Sequence, residues 1–167
     1  MPRVLVALWL VALACAAAPA ADAQTARQHL PGIAGVSFGA SYDAAQAQLG
    51  PGFKLRASAR QPETKTLIGR GDIDGQSFAL NFTFTPAGLL NRVFAVAGTP
   101  GNDDDACKAH WLAVRAGLVA RFGPPDTQSN DPENSAAEAK FVFADGSTVD
   151  ASQLGCLIGV MYETNRK

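Results

Sequence analysis

The cleanest pattern in the chain is "FALNFTF". Phe78, Leu80, Phe82 and Phe84 fall in one phase, and Ala79, Asn81 and Thr83 in the other. Strict alternation of this kind predicts a half-buried β-strand. Asp74-Gly75, just before it, predicts a tight hairpin, because both residues tolerate positive φ. "TKTLIGRGDI" supplies the partner strand, with Leu67 and Ile73 in one phase and glycines between them. "TPAG" predicts the next turn. "LLNRVFAVA" then predicts a third strand, apolar in both phases, hence interior or covered on both sides. Upstream, Val36 and Phe38 in "GIAGVSFGAS" alternate with small or polar residues and predict a short strand.

Helical spacing occurs twice. Ser41 is a fitting N-cap, Asp43 suits the first turn, and Tyr42, Ala45 and Leu49 follow on one face. Gly50 and Pro51 stop that helix, since Gly takes the left-handed position and Pro cannot continue. Cys107, Trp111, Val114, Leu118 and Phe122 form a second, longer stripe, widened by Ala116 and Val119. It predicts a helix from about Asp104 to Phe122, stopped by Gly123 and Pro124. The polar "DTQSNDPENSAAE" reads as a loop. "AKFVFA", "STVDAS" and "CLIGVMYE" read as three more strands, with a turn at Asp145-Gly146.

The plan is therefore a helix and three strands, written twice, over residues 33–100 and 101–167, a possible duplication. The expected fold is α+β: two helix-plus-three-strand halves forming one mainly antiparallel sheet with both helices packed on one face.

The ends and the composition add a compartment. Arg3 precedes an apolar run, Val4 to Ala18, too short for a good membrane span. Ala21 and Ala23 then fit the small-x-small rule, so residues 1–23 read as a signal peptide cleaved before Gln24. Cys15 offers a competing lipoprotein exit, but Ala12 stands where an aliphatic residue, usually Leu, is wanted. The expected mature chain, 24–167, is one domain with a net charge of −1, which gives no general field for nucleic acid. No later apolar run reaches membrane length, and the expected location is periplasmic or secreted. "TARQHL" reads as a loose leader. Cys107 and Cys156, an even pair in an exported chain, are expected to form one disulfide in the layer between the long helix and the last strand.

"GVSFGASYDAAQAQLG", followed by strands with Phe-x-Phe-x-x-x-Gly-Leu, resembles small bacterial envelope proteins. The outer-membrane assembly lipoproteins of the BamE type are similar, as is the beta-lactamase inhibitory protein type, built from two such halves. The resemblance implies a binding, assembly or inhibitor-like role without catalysis. It transfers no contact residue.

Candidate chemistry is sparse. His29 and His110 have no neighbour at metal-ligand spacing, and no Gly-x-Ser-x-Gly elbow occurs. "NDDD" reads as an acidic helix cap and "DIDG" as a hairpin before either reads as a cation loop. No cofactor, metal or catalytic residue is assigned. A small periplasmic hydrolase with a dispersed site, and a lipid or small-ligand carrier, remain as alternatives. Charge is divided between the halves. Lys54, Arg56, Arg60, Lys65 and Arg70 face one acid, Glu63, whereas Asp126 to Asp150 carries six acids against Lys140. The five cations are the candidate contacts for a protein partner or an anionic surface; the plainer alternative is a solvated loop.

Overall fold

In the computed structural model, which describes residues 27–57, 64–99, 101, 103–131 and 136–165, the alternating segment lies inside a single eight-stranded sheet. The chain runs α1 (Tyr42–Leu49), β1 (Lys54–Ala57), β2 (Lys65–Ile73), β3 (Gln76–Phe84), β4 (Leu90–Gly98), α2 (Asp104–Phe122), β5 (Thr127–Asp131), β6 (Ala136–Val142), β7 (Thr148–Leu154) and β8 (Leu157–Glu163). Every pairing is antiparallel, in the order β1-β2-β3-β4-β8-β7-β6-β5. β4 and β8 meet at the centre, and β1 and β5 are the edges.

This corrects the expected fold class. The described residues are mostly β, one eight-stranded antiparallel sheet with two helices, and not a pair of helix-plus-three-strand halves. The difference is the two edge strands. β1 falls in the basic segment and β5 in the polar loop, and all five residues of β5 are exposed. A strand that buries neither face carries no apolar alternation, so its pairing leaves no mark on the hydrophobic pattern.

The buried face follows from the register. Leu67, Phe82, Val93, Tyr162, Val149 and Phe141 stand opposite one another in one row across six strands. Each is at most 1 % exposed. Burying side chains of this size contributes roughly 1.5–3 kcal/mol apiece. Both helices lie against this face. Tyr42 of α1 meets Phe84 edge-on at 5.5 Å, and Phe122 of α2 meets Phe141 and Phe143 at 5.7 and 5.5 Å. Burial pushes the Tyr162 phenol well above its ordinary value, so it stays neutral in the core.

The glycines of β2 have a packing reason. Gly69 shares the buried phase with Leu67, and a Cβ there would stand 2.6 Å from the Phe53 ring. Phe53 occupies that space and meets Phe82 edge-on at 5.6 Å. The Asp74-Gly75 turn has φ of 51° and 77°, as its residues predict. α2 spans the predicted residues. Asp103 caps it, accepting from Asp105 N, and Gly123 at φ 78° ends it.

Three local expectations are corrected. Val36 to Phe38 is not a strand. Ile33 and Val36 close a two-residue turn by paired backbone bonds of 2.9 Å, with Ala34 and Gly35 at positive φ. Residues 27–30 are not loose. Arg27 donates to Phe122 O at 2.8 Å, to Pro124 O and to Asp126, and Leu30 is buried. Cys156 sits in the turn before β8, outside the strand itself. Residues 1–26, with Cys15 and the expected cleavage point, lie outside the described residues. Among the described residues no helix is long and apolar enough to cross a membrane.

Candidate functional site

Helices cover one face of the sheet; the opposite phase of every strand faces outward. Its middle is apolar except for Asn81 of β3, which stands between Ile68 and Phe94 in the register. Phe94 and Val96 of β4 stand beside Met161 and Gly159 of β8, with Ile68 on β2. Phe94 is 37 % exposed and lies across Gly159, where a Cβ would come within 3.3 Å of its ring. Toward one end the strip continues to Leu157 and Leu154, directly paired and 54 % and 69 % exposed. Exposed apolar side chains grouped on one open face mark an interaction surface more than a solvated one.

Cations flank this strip on the β1 side. In the register, Lys54 is opposite Ile68 and Arg56 opposite Thr66, so both project from the open face, as does Arg70 of β2. All three are exposed. Arg92 of β4 joins them in the row Arg56, Thr66, Thr83, Arg92, and pairs with Glu163 directly across on β8. Adjacent strands are about 4.8 Å apart, so Arg56 and Arg92 are separated by roughly 14 Å of sheet. Asn81 Oδ1 and Arg92 Nε, both covered, make no hydrogen bond among the described residues.

The five sequence candidates therefore divide. Lys54, Arg56 and Arg70 come together on the open face. Lys65 is in the opposite phase, and its Nζ lies 5.2 Å from the centre of the Tyr42 ring, on the helix side. A strand separates alternate cations to opposite faces, which a loop does not. Arg60 lies outside the described residues. Sequence reading missed Phe94, Val96 and Met161. The available signal was the apolar character of β4 in both phases, on a strand covered on one side only.

The far side of the open face is polar. A shallow depression of about 510 Å³ is lined by Thr127, Ser129, Glu138, Lys140, Asp150 and Ser152. Lys140 and Asp150, opposite each other on β6 and β7, form an ion pair at 3.1 Å. The acids counted along the sequence are thus partly neutralised where they stand.

Among the described residues, groups with catalytic potential do not converge. His110 Nδ1 is 2.8 Å from Thr99 Oγ1. Asp145 lies between Ser147 and His29, accepting from Ser147 N at 2.9 Å and meeting His29 Nδ1 at 3.3 Å. A nucleophilic triad needs the imidazole between hydroxyl and carboxylate; here the carboxylate is in the middle. Ser147 is 1 % exposed, out of reach of a substrate. Partial burial presses the Asp145 carboxyl upward, but hydrogen bonds from Ser147 and the His29 contact outweigh it and hold the pKa below the usual 3.8. Among the described residues no group of three His, Cys, Asp or Glu side chains is placed to hold a metal ion.

Cys107 and Cys156 are brought to disulfide distance, with Cα atoms 4.8 Å apart. Such a pair is compatible with an oxidising compartment. It joins the first turn of α2 to the turn between β7 and β8. Gln153 braces the same corner, donating to Gly155 O at 2.8 Å.

No family model matches the chain, and no curated protein or solved structure is detectably similar to it.

Proposed function

We propose that the chain is exported to a bacterial cell envelope and acts there as a non-catalytic binding protein of the assembly or inhibitor kind. It docks a protein partner on the open face of its sheet. The observation that carries this reading is the apolar strip of Phe94, Val96, Met161 and Ile68, bordered by Lys54, Arg56 and Arg70. An apolar centre with a charged rim is the composition of a protein interface, where the centre supplies affinity and the rim supplies rate and orientation. The cysteine pair supports an oxidising location, and the resemblance to the BamE and beta-lactamase inhibitory protein types supports the role. The alternatives gain less. Beside Tyr162 the space between α2 and the sheet amounts to about 10 Å³, and the larger groove of about 590 Å³ lies at the β5 edge, where its lip residue Leu112 is 59 % exposed, so it is an open surface groove and not an enclosing ligand cavity.

The test is a photo-reactive residue at Val96 or Met161 in the mature protein, exposed to envelope extract. A discrete protein adduct is expected. Arg56→Glu with Arg70→Glu should reduce its yield and flatten its dependence on salt, because screened surface charge steers encounter. Absence of an adduct from either position, or a yield indifferent to charge reversal, would overturn the reading.

A further inference from the structure

The two edges of the sheet are unlike. β1 carries Lys54 and Arg56, the kind of side chains that discourage a second strand from pairing. β5, "TQSND", contains no Lys, Arg or Pro, is exposed throughout, and among the described residues has a strand on one side only. Cavities flank it on both faces. On the open face is the polar depression that reaches Thr127 and Ser129. On the helix side is a groove of about 590 Å³ between β5 and α2, reaching Gln128 and Asn130. The register accounts for the division. Gln128 and Asn130 stand opposite Ala139 and Ala137, both buried on the helix side, while Thr127 and Ser129 stand opposite Lys140 and Glu138.

The helix wall of the groove is one stripe of α2. Lys108, Trp111, Leu112 and Arg115 line it at spacings of three, one and three. Trp111 is 6 % exposed and Leu112 59 % exposed, so the stripe offers an apolar base and an apolar lip. Arg115 donates to Gln128 Oε1 at 2.6 Å, bridging helix and edge. Lys108, Arg115, Asp131 and Glu138 are the charged residues that line the groove; the two cations stand on its helix wall, while Asp131 and Glu138 stand opposite Ala136 and Ser129, in the strand phase turned toward the other face.

We propose that β5 is a docking edge for an extended peptide segment of a protein partner. The segment adds as a ninth strand and presents apolar and acidic side chains to the groove under α2. Pairing along β5 places alternate side chains of the incoming strand over the two cavities. Main-chain hydrogen bonds then supply affinity and the cavities supply selection. Apolar side chains on the helix side extend the layer formed by Trp111, Leu112 and Ala137. A carboxylate among them meets Lys108 and Arg115. Small hydroxyl side chains suit the polar depression on the other side. This surface is separate from the apolar strip at the centre of the open face, and its occupant is recognised differently, by backbone first.

The test uses the full-length mature protein and the synthetic peptide Thr-Val-Thr-Glu-Thr-Val-Thr, followed by amide NMR and hydrogen exchange. Binding should slow exchange in the Thr127–Asp131 segment and shift the Trp111 indole signal. Replacing the peptide's Glu by Lys, or N-methylating alternate peptide residues, should weaken binding at least tenfold; neither change touches the protein. Lys108→Glu with Arg115→Glu should do the same for the Glu peptide and favour the Lys peptide, with the melting curve as the check on folding. No binding at millimolar peptide, equal binding of the Lys peptide, or shifts centred on Phe94 and Val96 would overturn the proposal. So would protection of β5 without peptide that rises with protein concentration, which would assign the edge to a second copy of the chain.

Discussion

Breaking the link between Cys107 and Cys156 should lower stability by an amount that the chain geometry sets. The two residues are 49 apart in sequence. Closing a loop of that length in the unfolded chain removes conformational freedom worth roughly 4 kcal/mol at 25 °C. An unfolding entropy of about 2.1 cal/mol/K per residue, over a domain of about 140 residues, converts each kcal/mol to roughly 3.4 °C. Reduction should therefore lower the melting temperature by roughly 14 °C, with residual structure in the reduced unfolded chain pulling the figure down. The Cys107→Ala, Cys156→Ala pair should lose at least as much, because Cys107 is 2 % exposed and its truncation also empties space in the core.

The bridge should also act locally. Cys107 starts the stripe that continues through Trp111, and Cys156 O accepts from Thr99 N at 3.0 Å, at the end of β4. Losing the link frees the first turn of α2 before it frees the sheet. Hydrogen exchange should accelerate first around Cys107 and Lys108, then at the β7–β8 turn. The assay is thermal unfolding by circular dichroism with and without reductant, combined with thiol labelling of the unfolded, unreduced protein. No label per chain and a reductant-dependent shift are expected. Two labels per chain, or identical melting in both conditions, would refute the bridge and leave two packed thiols in its place.

Gly69→Ala should destabilise by about 1–3 kcal/mol, because the new methyl group displaces the Phe53 ring from Phe82; urea unfolding midpoints measure it. Gly75→Ala should cost about 1 kcal/mol for a different reason, positive φ with open space around the Cβ, and a cost larger than that of Gly69→Ala would contradict this account. Asp145 bears on acid stability. Its folded pKa lies below the unfolded 3.8, so its ionised form is stabilised by folding. That contribution is present above pH 3.8 and is lost as pH falls through the lower, folded value. Asp145→Asn should therefore lower stability at pH 6, with the gap to wild type closing toward pH 2; a gap constant with pH would show that the carboxylate's charge is not what Ser147 and His29 stabilise.

What could be read in advance was whatever buries one face against a regular period. The β3 alternation, the Asp74-Gly75 turn and both helix stops are local signals, and the structure has each of them. What could not be read depends on position in the sheet. β1 and β5 are edges with little or nothing to bury, so they resemble loops until a register assigns them. Arg27 is held by Phe122 O, Pro124 O and Asp126, partners nearly a hundred residues away, and nothing in "TARQHL" anticipates them. The cation cluster shows the same limit in another form. Five charges close in sequence invite one surface, yet a strand sends Lys65 to one face and Lys54 and Arg56 to the other.

The centre of the open face belongs to neither half of the chain. Phe94 and Val96 come from β4, Met161 and Gly159 from β8, and these strands pair from Arg92–Glu163 to Gly98–Leu157. A fragment containing only the first helix and its four strands would leave β4 as an unpaired edge and lose half of the strip. The surface thus exists only when both halves have joined, and a partner bound there stabilises the join by mass action. A peptide on β5 would be held by α2 and the β5–β6 pair, three strands from β8, and would share with the seam only the depression that reaches Ser152 beside Gly159. The two surfaces are therefore separable. Substitution of Phe94 should weaken docking at the seam and leave edge pairing intact, while reversal of Lys108 and Arg115 should do the converse. If either change abolished both interactions, the face and the edge would have to be parts of one continuous interface wrapped around β5.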